Sequence, residues 1–165
     1  MKIAGLVQES IVDGPGLRFA VYTQGCDFKC KECHNPATWS IDGGTEVSIE
    51  DIIKQMHSNP LTDGLSLSGG EPILQAADCA KLAKVARDKG INVWLFTGYN
   101  FDELLELLGT DKDVKMLLEL TDVLVDGRYI HSERSLTLRW RGSKNQRVLD
   151  MAKSLKLGRA VEYAT

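Results

Sequence analysis

Short apolar runs alternate with helix-like segments along almost all of this 165-residue chain, and this alternation limits the fold more than any other feature. The runs are rich in β-branched and aromatic residues and are bounded by glycine or polar residues, as β-strands are. The predicted strands are residues 17–23, 64–68, 91–97 and 122–126, with a further candidate at 136–140. The predicted helices are residues 49–56, 74–89, 101–108, 114–120 and 146–155.

Strands that alternate with helices favour parallel βαβ units and therefore an α/β fold. A chain of 165 residues is too short for a closed eight-fold barrel of roughly 250 residues. An incomplete, open barrel and a doubly wound sheet remain as alternatives. No linker divides the sequence, so we expect one domain that spans residues 1–165.

In both architectures the functional site lies at the carboxyl ends of the strands. Four unusual segments come directly after predicted strands. They are a cysteine-bearing loop, Gly69-Gly70-Glu71-Pro72, Thr97-Gly98-Tyr99 and Asp126-Gly127-Arg128. We therefore expect all four segments to meet at one edge of the sheet and to form a single site.

Charge and hydropathy exclude several classes of protein. The net charge is −3 with both signs interspersed, which gives no support for nucleic-acid binding. No apolar stretch approaches the roughly 20 residues of a membrane span, and polar residues interrupt the N-terminus too early for a signal peptide. We expect a cytoplasmic protein without a nucleic-acid or membrane partner.

The four cysteines are unevenly placed: Cys26, Cys30 and Cys33 lie within eight residues, whereas Cys79 stands alone in a predicted helix. In a reducing compartment such a cluster indicates metal binding or catalysis rather than disulfide formation. Cys79 is expected to be a small buried apolar residue.

Four interpretations of the cysteine loop compete. A structural zinc site needs four ligands, so His34 or Cys79 would have to supply the fourth. Haem attachment at the C-x-x-C-H string normally requires export, and a dithiol pair would leave Cys26 without a role. An iron–sulfur cluster held by three thiolates leaves one iron open to a small chelating ligand, and this interpretation accounts for all three cysteines.

Several motifs resemble those of the radical S-adenosylmethionine (SAM) superfamily. The three cysteines have its spacing, and Gly69-Gly70-Glu71-Pro72 resembles its second signature. Asp13-Gly14-Pro15-Gly16-Leu17-Arg18, together with Cys33-His34-Asn35-Pro36 and Trp39, is similar to the glycyl-radical-enzyme activases. Thr97-Gly98-Tyr99 and residues 123–127 and 141–147 narrow the resemblance to the activating proteins of anaerobic (class III) ribonucleoside-triphosphate reductases.

This resemblance implies an open parallel β/α barrel of the radical SAM type, with about five to six strands. It implies a [4Fe-4S] cluster on Cys26, Cys30 and Cys33, with SAM chelating the open iron. Reductive cleavage of SAM would give a 5′-deoxyadenosyl radical, which takes a Cα hydrogen from one glycine of the reductase. A flavodoxin-like protein would supply the electron. The alternative is a radical SAM enzyme that acts on a small molecule, such as a deazapurine precursor.

The resemblance also implies which residues contact SAM and the partner. It implies no catalytic group beyond the cluster and SAM. SAM contacts are expected from Glu32, His34, Gly69, Gly70, Glu71 and Thr97. The two glycines lack side chains, which would let the backbone approach the ligand closely. The access path for the partner's glycine is expected to include Asp13, Gly14, Arg141, Asn145 and Arg147. Glu32 replaces the aromatic residue that usually packs on adenine, so Tyr99 or Trp39 would cover the base.

Overall fold

The computed structural model describes residues 1–28, Cys30 and residues 36–164. In this part of the chain, seven strands form one mixed sheet and five α-helices accompany it. The strands are β1 (Lys2–Ser10), β2 (Arg18–Thr23), β3 (Thr45–Glu46), β4 (Gly64–Gly69), β5 (Asn92–Phe96), β6 (Val123–Asp126) and β7 (Arg147–Asp150). The helices are α1 (Ile49–His57), α2 (Ala76–Asp88), α3 (Phe101–Leu108), α4 (Lys112–Leu120) and α5 (Met151–Leu157).

The sheet is parallel at its centre and antiparallel towards both edges. In the order β3-β1-β2-β4-β5-β6-β7, the four strands β2, β4, β5 and β6 are parallel. β1 pairs antiparallel with β2 and β3, and β7 pairs antiparallel with β6. The described sheet is therefore open. The predicted α/β class is confirmed, but the expectation of a parallel sheet with about five to six strands is corrected to a mixed sheet with seven.

The main core lies between one face of the sheet and the helices. Alternate strand residues point to opposite faces, and Phe19, Leu65, Leu95 and Leu124 belong to the face that packs with α1 to α5. Cys79 of α2 is fully buried in this core, with its sulfur 3.7 Å from the Pro72 carbonyl oxygen. Burial raises the pKa of the Cys79 thiol, so its predicted role as a small apolar residue is confirmed.

The opposite face carries a smaller cluster around Trp94, and a buried arginine lies beside it. Arg18 donates hydrogen bonds to Ser66 Oγ at 2.7 Å, to the Leu65 carbonyl at 3.0 Å and to Asn92 Oδ1 at 2.7 Å. Its guanidinium also lies 5.6 Å from the Trp94 ring centre. Desolvation lowers the pKa of Arg18 to about 10, which leaves it charged at neutral pH. Arg18 thus ties β2, β4 and β5 together at their amino ends.

Two predictions near the carboxyl terminus are wrong. Residues 136–140 do not form a strand, and Leu136 among them is 87% exposed. The helix predicted at 146–155 begins at Met151, because Val148 and Leu149 extend as β7 and pair with β6. Asp150 caps the shortened helix by accepting from the Lys153 amide at 3.0 Å. No helix within the described residues is long and apolar enough to span a bilayer.

Candidate cofactor site at the carboxyl ends of the parallel strands

A cavity of about 200 Å³ lies where β2, β4, β5 and β6 end. Residues from all four expected segments line it: two cysteines after β2, Gly69 to Glu71 after β4, Thr97 and Gly98 after β5, and Gly127 after β6. The predicted convergence of these segments is confirmed. Parallel strands place their carboxyl ends at one edge of the sheet, and this is why segments distant in sequence meet here.

Cys26 and Cys30 are half-buried and line this cavity together. Cys33, Glu32 and His34 lie outside the described residues. Within the described ranges, no group of three or more His, Cys, Asp or Glu side chains is gathered as a metal site. Two thiols on one cavity wall are nevertheless the donor chemistry that an iron–sulfur cluster needs, so the described residues fit such a group.

Backbone hydrogen bonds join the loop after β4 to the start of the cysteine loop. The Gly70 amide donates to the Thr23 carbonyl at 2.8 Å, and the Glu71 amide donates to the Gly25 carbonyl at 2.7 Å. A Cβ on Gly70 would lie 2.4 Å from the Gly25 carbonyl oxygen. Glycine was expected at position 70 because a ligand would approach the backbone there. In the structure, the group that approaches Gly70 closely is the Gly25 backbone, just before Cys26.

Glu71 is 1% exposed and braces the ends of two parallel strands. Its carboxylate accepts from the Thr97 hydroxyl at 2.9 Å, from the Gly98 amide at 2.7 Å and from the Ile73 amide at 3.0 Å. The Thr97 hydroxyl also lies 2.9 Å from the second carboxylate oxygen, so these donors engage both oxygens of a residue that lines the cavity. Burial raises the pKa of Glu71 to about 7, against the lowering effect of these donors.

The raised pKa of Glu71 predicts a particular pH dependence of stability. Between an ordinary pKa of 4.5 and about 7, the native carboxyl holds a proton that the unfolded chain has lost. The free energy of unfolding of the cluster-free protein should therefore fall by about 3 kcal/mol as pH rises through this window. Urea unfolding at several pH values measures the slope, and Glu71→Gln should flatten it. The same slope in both proteins would contradict this role of burial.

Phe28, between the first two cysteines, anchors the cysteine loop to the neighbouring strands. Its ring meets Tyr99 edge-on at 4.9 Å, and the Arg128 guanidinium lies 4.3 Å from the ring centre. Arg128 is itself held by two 3.1 Å hydrogen bonds to the Glu103 carboxylate, which lower the pKa of Glu103. A Cβ on Gly98 would lie 2.5 Å from the Phe28 ring. Phe28 was not expected to have this role, although an aromatic residue between two clustered cysteines is a recognisable signal in the sequence.

Removing this anchor should loosen the hold on a bound cluster. Because the ring pair and the cation–π contact contribute roughly 1 kcal/mol each, we expect Phe28→Ala to speed iron release to a chelator by up to about thirtyfold. Asp27→Ala is the matched control, since Asp27 is the exposed neighbour of Phe28. Equal release rates in wild type and Phe28→Ala would show that the contact does not hold the loop.

The cavity carries more aromatic residues than expected. Trp39 lines it, and its buried Nε1 has no hydrogen-bond partner among the described residues. Tyr129 and Trp140, which were not expected in the site, also line it. Tyr99 instead packs on Phe28. Of the two residues considered for covering adenine, Trp39 is therefore the one on the cavity wall.

Of three residues expected on the access path, one lines the cavity and two form hydrogen bonds that support it. Arg141 lines the cavity, and its buried Nε has no hydrogen-bond partner in the described part of the chain. Asn145 donates to the Arg128 carbonyl at 2.7 Å. Arg147 binds the buried Asp126 carboxylate through Nε at 3.1 Å and a terminal nitrogen at 2.6 Å. Asn145 and Arg147 thus hold the strand ends in place.

The other two expected access residues lie away from this cavity. The Asp13 carboxylate accepts from the hydroxyls of Ser10 and Tyr22 and lines a separate pocket that shares Thr38 with the main cavity. Burial, followed by the bond to Asp13, raises the pKa of Tyr22 to about 12. Gly14 has a φ of +126°, and a Cβ there would lie 2.9 Å from Arg18 Cδ. Gly14 is therefore required by packing.

Comparison with known proteins gives the family of this chain. A family model described as a 4Fe-4S single cluster domain matches residues 12–149. The anaerobic ribonucleoside-triphosphate reductase-activating protein of Vibrio cholerae is 39% identical over 144 residues, which cover 82% of this chain and 89% of that protein. The protein of the same name from Haemophilus influenzae is 36% identical over 146 residues, with the same two coverages.

A longer relative matches over a smaller share of its own length. The pyruvate formate-lyase 1-activating enzyme of Escherichia coli is 36% identical over 151 residues, which cover 87% of this chain but 58% of that enzyme. The matches that cover most of both proteins are to the reductase activators, and the cysteine-lined cavity agrees with the cluster domain. This chain belongs to the family of anaerobic ribonucleoside-triphosphate reductase-activating proteins.

Proposed function

We propose that this chain is a radical SAM activase that generates the glycyl radical of an anaerobic ribonucleoside-triphosphate reductase. One observation carries the proposal: Cys26, Cys30 and the Gly69-Gly70-Glu71 loop share one cavity. Relatives that are named as reductase-activating proteins and match over most of both chains support the choice of partner. The four central parallel strands, with the site at their carboxyl ends, support a single-domain partial barrel of the radical SAM type.

The thiolates of Cys26, Cys30 and, on sequence spacing alone, Cys33 would hold a [4Fe-4S] cluster. When bound, the cluster and SAM would supply the chemistry, which is one-electron reductive cleavage of SAM coupled to removal of a hydrogen atom from a glycine Cα of the reductase. On the family resemblance, the electron comes from a flavodoxin-like protein in the cytoplasm.

The protein's own residues bind and orient the cofactor. Glu71 lines the cavity, and the negative charge of its carboxylate would suit the cationic amino end of SAM. Its raised pKa means that a nearby positive charge would favour the ionised carboxylate. Trp39 and Trp140 form aromatic walls that exclude water and offer a flat surface to the adenine. Glu32, His34 and Thr97 are the further SAM contacts of this proposal, with Thr97 already bonded to Glu71.

Electron paramagnetic resonance tests the proposal. The anaerobically reconstituted, reduced protein is mixed with SAM and the purified reductase of the same organism. We expect a glycyl radical signal that requires SAM and disappears when the radical-bearing glycine of the reductase is replaced by alanine. Methionine release without that signal would instead favour the small-molecule enzyme. One equivalent of zinc, with no visible absorption, would contradict both.

A further inference from the structure

The net charge of −3 conceals an uneven distribution of charge along the chain. Residues 127–147 contain six Arg or Lys residues and a single acidic residue, Glu133, for a net charge of +5. The remainder of the chain therefore carries −8. The expectation that both signs are interspersed holds for the chain as a whole but not for this segment.

Three of these cations are available to a partner. Arg128 is paired with Glu103, and Arg147 is paired with Asp126. Arg134, Arg139 and Lys144 are exposed and form no ion pair with any described residue, although the Arg139 guanidinium lies 5.6 Å from the centre of the Trp140 ring. All three lie within residues 134–144, which we call the basic loop.

The basic loop has a firmly bonded base. Arg134 and Ser143 form an isolated antiparallel bridge, and the Lys144 amide donates to the Glu133 carbonyl at 2.9 Å. The Gln146 side chain accepts from the Gly142 amide at 2.8 Å and donates to the Gly127 carbonyl at 3.0 Å. The position of the loop is therefore fixed relative to the end of β6.

Residues in the interior of the basic loop form part of the cavity wall. Trp140 and Arg141 line the cavity, and the Trp140 ring meets Trp94 edge-on at 4.8 Å. Trp140 has a φ of 60°, a left-handed conformation that a non-glycine residue adopts only when its surroundings hold it there. The loop thus contributes to the cavity wall and also carries three exposed cations.

The exposed leucine of the basic loop favours a protein partner over a nucleic acid. Leu136 is 87% exposed and lies in the sequence between Arg134 and Arg139. An aliphatic contact flanked by charges is typical of a protein interface, in which the charges set orientation and association rate. A phosphate backbone would leave Leu136 without an apolar neighbour.

We propose that the basic loop is the docking surface for an acidic face of the protein substrate, beside the segment that carries its radical glycine. This inference rests on the proposed function, because it needs a partner that places one Cα within the cavity. A partner docked here would lie beside Trp140 and Arg141, which line the cavity. Charge attraction would bring the acidic face to the loop, and Leu136 would contact an apolar residue on the reductase.

Charge reversal in the cluster-loaded protein tests this proposal. We expect Arg134→Glu/Arg139→Glu/Lys144→Glu to raise the KM for the reductase by about tenfold or more, with kcat for glycyl radical formation unchanged. The KM of the wild type should also rise with salt, because exposed charges are screened. The matched control is Lys112→Glu/Lys153→Glu/Lys156→Glu, which makes the same charge change at exposed positions on α4 and α5 and should keep the wild-type KM.

Methionine release without reductase, driven by a chemical reductant, separates this inference from the proposed function. Normal release in the basic-loop variant with a raised KM supports docking. An unchanged KM overturns the inference and leaves the activase function intact. Loss of release in the variant shows that the loop supports the cofactor site, which also overturns docking. Tight, salt-sensitive binding of single-stranded DNA that competes with the reductase would identify the loop as a nucleic-acid site instead.

Discussion

Alanine at Cys26 or Cys30 is expected to abolish cluster binding and glycyl radical formation, whereas alanine at Cys79 leaves both intact. The two cavity cysteines would each supply one of three thiolates, and a cubane that loses a ligand has no described thiol near enough to replace it. Cys79 lies in the main core, where burial raises its thiol pKa and keeps it protonated. On sequence spacing, Cys33→Ala should behave like the two cavity variants.

Iron content and visible absorption after anaerobic reconstitution measure this effect directly. The cysteine-loop variants should contain almost no iron, and Cys79→Ala should match the wild type. Circular dichroism of each apoprotein shows whether the fold is retained. A Cys79→Ala protein that is folded but lacks a cluster would contradict the ligand assignment.

Gly70→Val is expected to lower the stability of the protein, because the valine side chain would clash with neighbouring backbone. The new Cβ would lie 2.4 Å from the Gly25 carbonyl oxygen and 2.9 Å from the Thr38 carbonyl oxygen, and neither backbone group can rotate away as a side chain could. Overpacking of this kind typically costs about 1–3 kcal/mol, and we expect a loss near the upper end. Because Gly25 precedes Cys26, cluster loading should fall as well.

Gly5→Val is the matched control for Gly70→Val. A Cβ on Gly5 would meet nothing within 4 Å, and Gly5 lies in β1, where a β-branched residue is favourable. Urea unfolding and iron content of both variants should show a large loss for Gly70→Val and none for Gly5→Val. If Gly70→Val keeps its stability and iron but binds SAM weakly, the glycine serves the ligand rather than the cysteine loop.

The central strands of the sheet could be predicted from the sequence alone. The strands predicted at 17–23, 64–68, 91–97 and 122–126 correspond to β2, β4, β5 and β6. These strands are largely buried, and their leucine, β-branched and aromatic residues are bounded by glycine or polar residues, so they are easily recognised. Convergence of the site followed from strand direction alone, without any knowledge of side-chain contacts.

The edges of the sheet were harder to predict because burial there is partial. β1 and β3 were not predicted, and most of the residues of β1 are half-buried or exposed, so its apolar pattern is weak. The alternating Leu136, Leu138 and Trp140 imitate a strand, but they belong to the basic loop and have no partner strand. Whether these segments form strands depends on pairing across the sheet rather than on the local pattern of apolar residues.

The contacts that support the site could not be predicted from local sequence. Phe28 and Arg128 are a hundred residues apart and meet because the ends of β2 and β6 reach the same edge of the sheet. Similarly, the need for glycine at position 70 was clear, but its physical reason depends on the Gly25 backbone. Sequence motifs located the site, and tertiary packing determined which residues hold it.

The most direct test of the proposed function follows the hydrogen atom. Reductase whose glycine residues carry deuterium at Cα is mixed with the reduced, cluster-loaded protein and SAM, and the 5′-deoxyadenosine is analysed by mass spectrometry. The account predicts that 5′-deoxyadenosine gains one deuterium in step with the glycyl radical signal. 5′-Deoxyadenosine that forms without deuterium would show that its hydrogen comes from elsewhere and would contradict direct abstraction from the partner's glycine.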